Sequence, residues 1–467
     1  MPRTKIVCTI GPASGTPEVI EAMIHNGMSV ARLNFSHGTH EQHVVNIRTI
    51  REVSSRMGKP VAVLQDLCGP KIRVGSLPED GLRLKTGQTI RLTSELVAGA
   101  ADRIPVSHQA LHTDVKTGDR ILLADGMMEV TVDRVDGLDI ICTVVTGGLL
   151  TSHKGVNLPA RTLTVDAITD KDREDLRLGL ENGVDFVALS FVRSAADVNK
   201  LKALIREHGR NTPVIAKIEK HEALEDVDRI VDAAEAIMVA RGDLGVEIPL
   251  ENVPNIQKML IHKCNAAGKP VIIATQMLRS MVDSPRPTRA EAADVANGVL
   301  DGADAVMLSE ETASGSYPVE AVRYMAMIAK SAETRYPHDR YSRQIPSPDV
   351  SEAVAAAACT LADNVRAAAI VATTRSGATA IHIARFRPRA PILALSPDER
   401  SIRRLCLTWG CIPCPLKISE DTDEMVERAA EAALETGHVG SADRVVITAG
   451  RPLWAEGTTN MLWVKEL

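Results

Sequence analysis

Short apolar runs rich in β-branched residues recur along the chain and close on polar residues, at 5–10, 29–36, 61–67, 186–192, 213–219, 236–241, 270–276 and 305–311. Segments with helical apolar spacing lie between most of them, among them 16–26, 40–57, 196–208, 253–267 and 289–300. Apolar strands alternating with amphipathic helices predict βα units on a parallel sheet. Eight such units predict a closed (β/α)8 barrel, with an open doubly wound sheet as the alternative that pattern alone leaves. One internal echo supports repetition: 182–190 resembles 301–309, each with a glycine where a helix ends and a strand follows.

Between the third and fourth runs the pattern changes. Strands are predicted at 90–96, 120–123, 128–133 and 139–146, with turns at Asp125-Gly126 and Asp136-Gly137. This predicts an all-β insertion at the barrel mouth, placed where it can act as a lid. Residues 336–349, rich in Pro, Ser and Arg, read as a linker. Beyond them, helices at 351–365, 379–385, 399–408 and 424–435 alternate with strands at 368–373, 391–395, 443–448 and 461–465. The expected division is barrel at 1–69 and 166–338, lid at 70–165, and an open α/β domain at 350–467.

Composition narrows the function. The 467 residues are 45% hydrophobic and 24% charged, as in folded globular proteins, and exceed one ordinary domain. A net charge of −6 and only 2% aromatics give no basic footprint and few stacking rings for nucleic acid. No apolar run approaches a membrane span, and the first residues lack a signal-peptide pattern, so no membrane partner and a cytoplasmic location are expected. Eight scattered cysteines fit a reducing compartment; Cys411 and Cys414 form the one CxxC, which lacks further zinc ligands at close spacing and reads as core packing.

Barrel enzymes place their chemistry at the C-terminal ends of strands. Arg32, Asn34 and Ser36 share one face by alternation, as do Lys217 and Glu219. Asp66, Ser190, Arg241, Asp243, Thr275, Gln276, Glu310 and Glu311 close other strands. Charges aimed into a barrel must pair or hold an ion, so an internal salt-bridge network is the bland alternative. Glu219 and Asp243 offer hard oxygens with no thiol or imidazole nearby, which favours magnesium or manganese. Arg32, Arg73 and Lys217 suit a phosphoryl group. Gly242 and Gly245 flank Asp243 in what is either an anion-binding turn or an ordinary strand-to-helix turn. No nucleophile elbow, Walker loop or dinucleotide fingerprint is present, and the set suits phosphoryl transfer.

The chain resembles pyruvate kinase over essentially its whole length. The motifs are Thr4–Ser14, Ala31-Arg-Leu-Asn-Phe-Ser-His-Gly38, Lys154–Pro159, Ala216-Lys-Ile-Glu219, Met238–Glu247 and Ala274-Thr-Gln-Met-Leu278. The resemblance implies phosphoryl transfer from phosphoenolpyruvate to ADP by a homotetramer with barrel, lid and regulatory domains. It implies Glu219 and Asp243 as magnesium ligands, and Gly242, Asp243 and Thr275 at the substrate carboxylate. Lys217 would stabilise the phosphoryl group and the enolate oxygen, and Arg32 and Arg73 would hold phosphate. Asn34, His37 and Lys154 would face the nucleotide and its own magnesium. Thr275 would lie where the enolate is protonated, through water or a relay, since its hydroxyl is a poor acid. A magnesium-dependent lyase or aldolase acting on a pyruvate enolate is the alternative enzyme class.

Departures from the family pattern are informative. Potassium is bound in many members by residues like Asn34, Ser36 and Asp66 plus a following threonine, but here that residue is Leu67. Lys71 stands where potassium-dependent members carry glutamate, so potassium independence is expected, the alternative being a solvated hinge lysine. Arg279 and Glu310 are also unusual, with no effect assigned to them. In the last domain Thr373, Thr374, Arg375, Ser376, Gly377 and Thr379 join a strand to a helix. They form either a phosphate cradle for a phosphorylated activator or a plain helix cap. The loop 450–457 departs from the usual glycine- and valine-rich version.

Overall fold

The computed structural model describes residues 2–95, 97, 99–100, 103–159, 165–455 and 457–467. Eight parallel strands close a barrel: β1 (Lys5–Thr9), β2 (Met28–Asn34), β3 (Ala62–Asp66), β4 (Phe186–Leu189), β5 (Val214–Ile218), β6 (Ala236–Ala240), β7 (Val271–Ala274) and β8 (Ala305–Leu308). Each pairs with its neighbours in sequence order, and β1 closes the ring on β8. The closed barrel, not the open sheet, is the fold.

Alternation sorts every strand. Val7, Val30, Leu64, Ala188, Ile215 and Met238 fill the interior. Ile6, Leu33, Val63, Val187, Ala216 and Val239 face the surrounding helices. Both faces are apolar because both are covered. The same parity carries Arg32, Asp66, Ser190 and Lys217 to the inner face at the strand ends.

The sequence overextends most strands. Phe191, Thr275 and Gln276 lie past the strand ends with φ of 55°, 76° and 57°. Arg241 opens the helix Arg241–Glu247, Glu310 and Glu311 open the turn Glu310–Ala313, and Ser36 follows β2. Local propensity cannot see where the chain must bend to make a mouth.

The insertion is β-rich, as expected, with one helical turn, Leu111–Asp114. Thr89–Thr93, Arg120–Leu123, Met128–Asp136 and Asp139–Thr146 match the expected strands, although Leu96 lies outside the described residues. Leu82–Leu84, Arg103–Pro105, Gly148–Leu150 and Val156–Asn157 add short strands too brief to carry a pattern. Leu92, Ile104, Val130 and Ile140 belong to its separate core.

The linker reading of 336–349 needs correction. His338–Ser342 is helical, and Tyr336 and Tyr341 are buried against Trp409. The C-terminal sheet comprises β9 (Ala369–Thr373), β10 (Ile392–Ser396), β11 (Cys411–Pro415), β12 (Arg444–Gly450) and β13 (Thr459–Glu466). Their spatial order is β11-β10-β9-β12-β13, with only β13 antiparallel. Strand β11 was hidden in the sequence by its prolines and lies at the sheet edge, where Pro is tolerated. The expected helix 399–408 stops at Arg404, and the turn Leu405–Leu407 sends Cys406 and Leu407 into the barrel's interior cluster. No helix among the described residues is long and apolar enough to cross a membrane.

Candidate active site

The inward ends of β2, β3, β4 and β5 meet in one charged knot. Arg32 Nε donates to Asp66 Oδ2 at 2.7 Å, and its Nη1 donates to Thr9 Oγ1 at 2.9 Å. Lys217 Nζ donates to Ser190 Oγ at 2.6 Å and to Asp66 Oδ1 at 3.2 Å, and it stands 2.9 Å from Glu219 Oε1. The Phe191 N–H, re-aimed by its left-handed backbone, donates to Glu219 Oε2 at 2.7 Å. All four charged side chains are almost wholly buried.

These contacts fix protonation. Burial alone would lower Lys217, but Asp66 and Glu219 outweigh it and hold the ammonium above its ordinary value. Burial would raise Asp66, yet Lys217 and Arg32 hold its carboxyl below the usual range. Glu219 is raised, first by burial and then by Asp243, against the pull of Lys217. Glu219 and Asp243 therefore share one electrostatic neighbourhood with the Lys217 ammonium.

Asp243 sits in the first turn of Arg241–Glu247, directly after β6. Among the described residues its carboxylate accepts no hydrogen bond, and Lys71 Nζ lies 3.8 Å away. A half-exposed, unbonded carboxylate beside a buried, raised one, with no sulfur or imidazole partner, fits a hard divalent cation. Next to it, a methyl group on Gly242 would come within 2.7 Å of Thr275 Cγ2. Only a glycine lets the Thr275 side chain lie on that backbone. Arg241 steadies the arrangement: its Nη2 donates to Thr275 O at 2.8 Å and its Nη1 to Asp294 at 2.7 Å.

The remaining expected residues lie around this knot. Burial, then Arg73, Arg32 and Lys71, lowers His37, so these cations share one electrostatic neighbourhood. Arg73 Nη1 donates to His153 O at 3.1 Å. Lys154, exposed on that segment, is not drawn into the knot. Asn34 Oδ1 accepts from the Ser36 N–H at 3.1 Å, so the amide is already engaged in a local turn. Leu67 is buried and brings no side-chain oxygen. Arg279 and Glu310, unassigned from sequence, pair at 3.0 Å on the surface. Sequence reasoning missed Thr9, which supports Arg32, and Asp125, whose carboxylate stands 3.7 Å from Lys71 Nζ. The parity of β1 could have shown Thr9; nothing local could have shown Asp125.

In the C-terminal domain, Thr373, Thr374, Arg375, Ser376 and Thr379 line a cavity of about 30 Å³ closed by Trp454 and Gly457. Glu456 of the same loop lies outside the described residues. Three of the hydroxyls are internally engaged: Thr373 Oγ1 donates to Thr448 O at 2.9 Å, Thr374 Oγ1 accepts from Gly377 N at 2.9 Å, and Thr379 bonds Thr459 at 2.6 Å. Cys411 and Cys414 are free thiols.

A closed parallel barrel with cations and paired carboxylates at its strand ends defines an enzyme that handles a phosphorylated anion. Two family models match the chain: the pyruvate kinase barrel domain over residues 1–322 and the pyruvate kinase alpha/beta domain over residues 352–465. A pyruvate kinase of Clostridium acetobutylicum is 43% identical over 100% of this chain and 99% of its own length. Pyruvate kinase 2 of a Synechocystis species is 47% identical over 99% of this chain and 79% of its own, and the Geobacillus stearothermophilus pyruvate kinase is 46% identical over 99% and 80%. The chain belongs to the pyruvate kinase family.

Proposed function

We propose that this chain transfers the phosphoryl group of phosphoenolpyruvate to ADP, giving pyruvate and ATP, with the knot around Lys217 as the reacting centre. The observation that carries the reading is a protonated, buried lysine between Asp66, Ser190 and Glu219, opening toward Asp243. Magnesium, as the family generally uses, would be held by Glu219 and Asp243 and would supply charge neutralisation at the phosphate. Arg32, anchored by Thr9 and Asp66, presents a fixed guanidinium to the phosphoryl oxygens, with Arg73 beside it. Lys217 stabilises the moving group and then the enolate oxygen, being already oriented before reaction. The Gly242 and Asp243 N–H groups and the Thr275 hydroxyl receive the substrate carboxylate, and a water near Thr275 delivers the proton to the enolate carbon. Asn34, His37 and Lys154 take the nucleotide side.

Potassium independence is part of this reading. The buried Leu67 and the Lys71 ammonium near Asp243 support it, because a tethered cation takes the place of a bound one. A phosphorylated activator at Thr373–Thr379, a homotetramer, a cytoplasmic location and the fourfold division of the chain given above rest on the family likeness. Eight free thiols agree with a reducing compartment. No observation favours the lyase or aldolase. The deciding experiment is ATP formation from phosphoenolpyruvate and ADP with magnesium; a chain that consumes phosphoenolpyruvate without forming ATP would overturn the reading.

A further inference from the structure

At the foot of the barrel, opposite the mouth that carries Lys217 and Asp243, a cavity of about 390 Å³ lies between barrel and C-terminal domain. Phe186 and Pro213, at the N-terminal ends of β4 and β5, form part of its wall with Ile205, Ile381 and Leu405. That lining is apolar. Its charged lining is four cations, Lys202, Arg206, Arg210 and Arg404, and one carboxylate, Glu235.

Lys202 is already matched, pairing with Glu235 at 2.5 Å. Among the described residues, Arg206, Arg210 and Arg404 form no ion pair. Arg404 is held in place by its Nη2, which donates to Asn211 O at 3.2 Å. Its Nε is buried and has no hydrogen-bond partner. A buried N–H without an acceptor is rare in native proteins and marks a place where an acceptor belongs. Burial lowers Arg404 from its usual value, against the pull of Asp185 and Asp398. A smaller void of about 60 Å³ shares Arg210, Asn211, Thr212 and Arg404 and adds Arg400, together with Arg403, which is paired to Asp185 at 2.8 Å.

We propose that this cavity binds a phosphomonoester dianion on a compact apolar body, the phosphate seated on Arg404, Arg206 and Arg210 and the body against Phe186, Ile205 and Leu405. Unpaired guanidinium forks match phosphate oxygens, and a dianion balances several of them at once. The site is separate from the hydroxyl cradle at Thr373–Thr379, although Ser376 lines both cavities, so an occupant here touches the cradle loop and the base of the barrel together.

Phenyl phosphate carries both features and tests the site by calorimetry on the full chain, with saturating phosphoenolpyruvate and magnesium but no ADP, which fills the active site. The expected result is one site whose affinity falls roughly tenfold or more in Arg404→Met and in the double variant Arg206→Ala/Arg210→Ala, and is unchanged in Arg375→Ala at the cradle. Arg206 and Arg210 are exposed, so their replacement tests the site even if Arg404→Met fails to fold. Phenol and inorganic phosphate, each lacking one feature, are expected to bind roughly tenfold more weakly. The proposal is overturned by no binding at about 10 mM, by unchanged affinity in the exposed double variant, by loss of binding in Arg375→Ala alone, or by inorganic phosphate binding as well as phenyl phosphate.

Discussion

Lys71 Nζ stands 3.8 Å from Asp243 Oδ1, so an ammonium at the start of the inserted segment faces a carboxylate just past the end of the sixth barrel strand. Asp125 of the inserted domain approaches the same nitrogen to 3.7 Å. One side chain thus links the lid to the rim of the barrel.

From this follows a test with monovalent cations. Replacing potassium by tetramethylammonium at fixed ionic strength should leave kcat within about twofold, because the positive charge is covalently attached. Lys71→Met should lose roughly tenfold or more and regain part of it when potassium is added. Collapse of the unmodified enzyme in tetramethylammonium would refute the tethered-cation reading.

Lys217 should separate binding from chemistry. Lys217→Met should still bind phosphoenolpyruvate, as followed by fluorescence titration, while kcat falls by roughly a thousandfold, since a charge that develops in the transition state loses its partner. Near-normal turnover would remove Lys217 from the mechanism.

Gly242→Ala asks whether close approach matters. Its methyl group would meet Thr275 Cγ2 at 2.7 Å, so the threonine must move. Overpacking of this kind costs about 1–3 kcal/mol. We expect kcat/KM to fall by at least about tenfold, with KM for phosphoenolpyruvate rising; unchanged kinetics would mean that Thr275 does not hold the substrate.

Between barrel and C-terminal domain, the buried Arg387 donates to both oxygens of Asp304, at 2.8 and 2.9 Å, and to Asn265 Oδ1 at 2.7 Å. Removing one partner of a buried pair costs about 3–5 kcal/mol because the other charge is stranded. Arg387→Met should therefore lower the unfolding midpoint in urea clearly, and Arg387→Met with Asp304→Asn should recover part of the loss. Equal loss in the single and double variants would show that packing, not charge, dominates.

The pair Arg279–Glu310 predicts a smaller effect. Both side chains are about half exposed, so the 3.0 Å contact is worth roughly 0.2–1 kcal/mol. Arg279→Glu should destabilise by that much, and Arg279→Glu with Glu310→Arg should restore stability. Two unusual residues then become one compensating exchange. A double variant no better than the single would dissolve the connection.

The barrel was legible because its strands are buried on both faces and read as apolar runs. Most ends were not: Thr275 and Gln276 look like more strand, yet positive φ turns them out of it. The stretch 336–349 looks like a linker by composition, but Tyr336 and Tyr341 find Trp409 about seventy residues away. A contact at that separation leaves no local signal.

The sequence by itself determined the inward set Arg32, Asp66 and Lys217, because alternation along a strand is a local rule. It also determined that Leu67 can donate no oxygen. Tertiary structure alone decided that Lys217 sits among Asp66, Ser190 and Glu219, that Phe191 donates to Glu219, and that Lys71 reaches Asp125 and Asp243. It also decided that the turn Leu405–Leu407 enters the foot of the barrel. Most of these contacts join residues far apart in the chain, and closure of the ring, not any neighbouring residue, brings them within bonding distance.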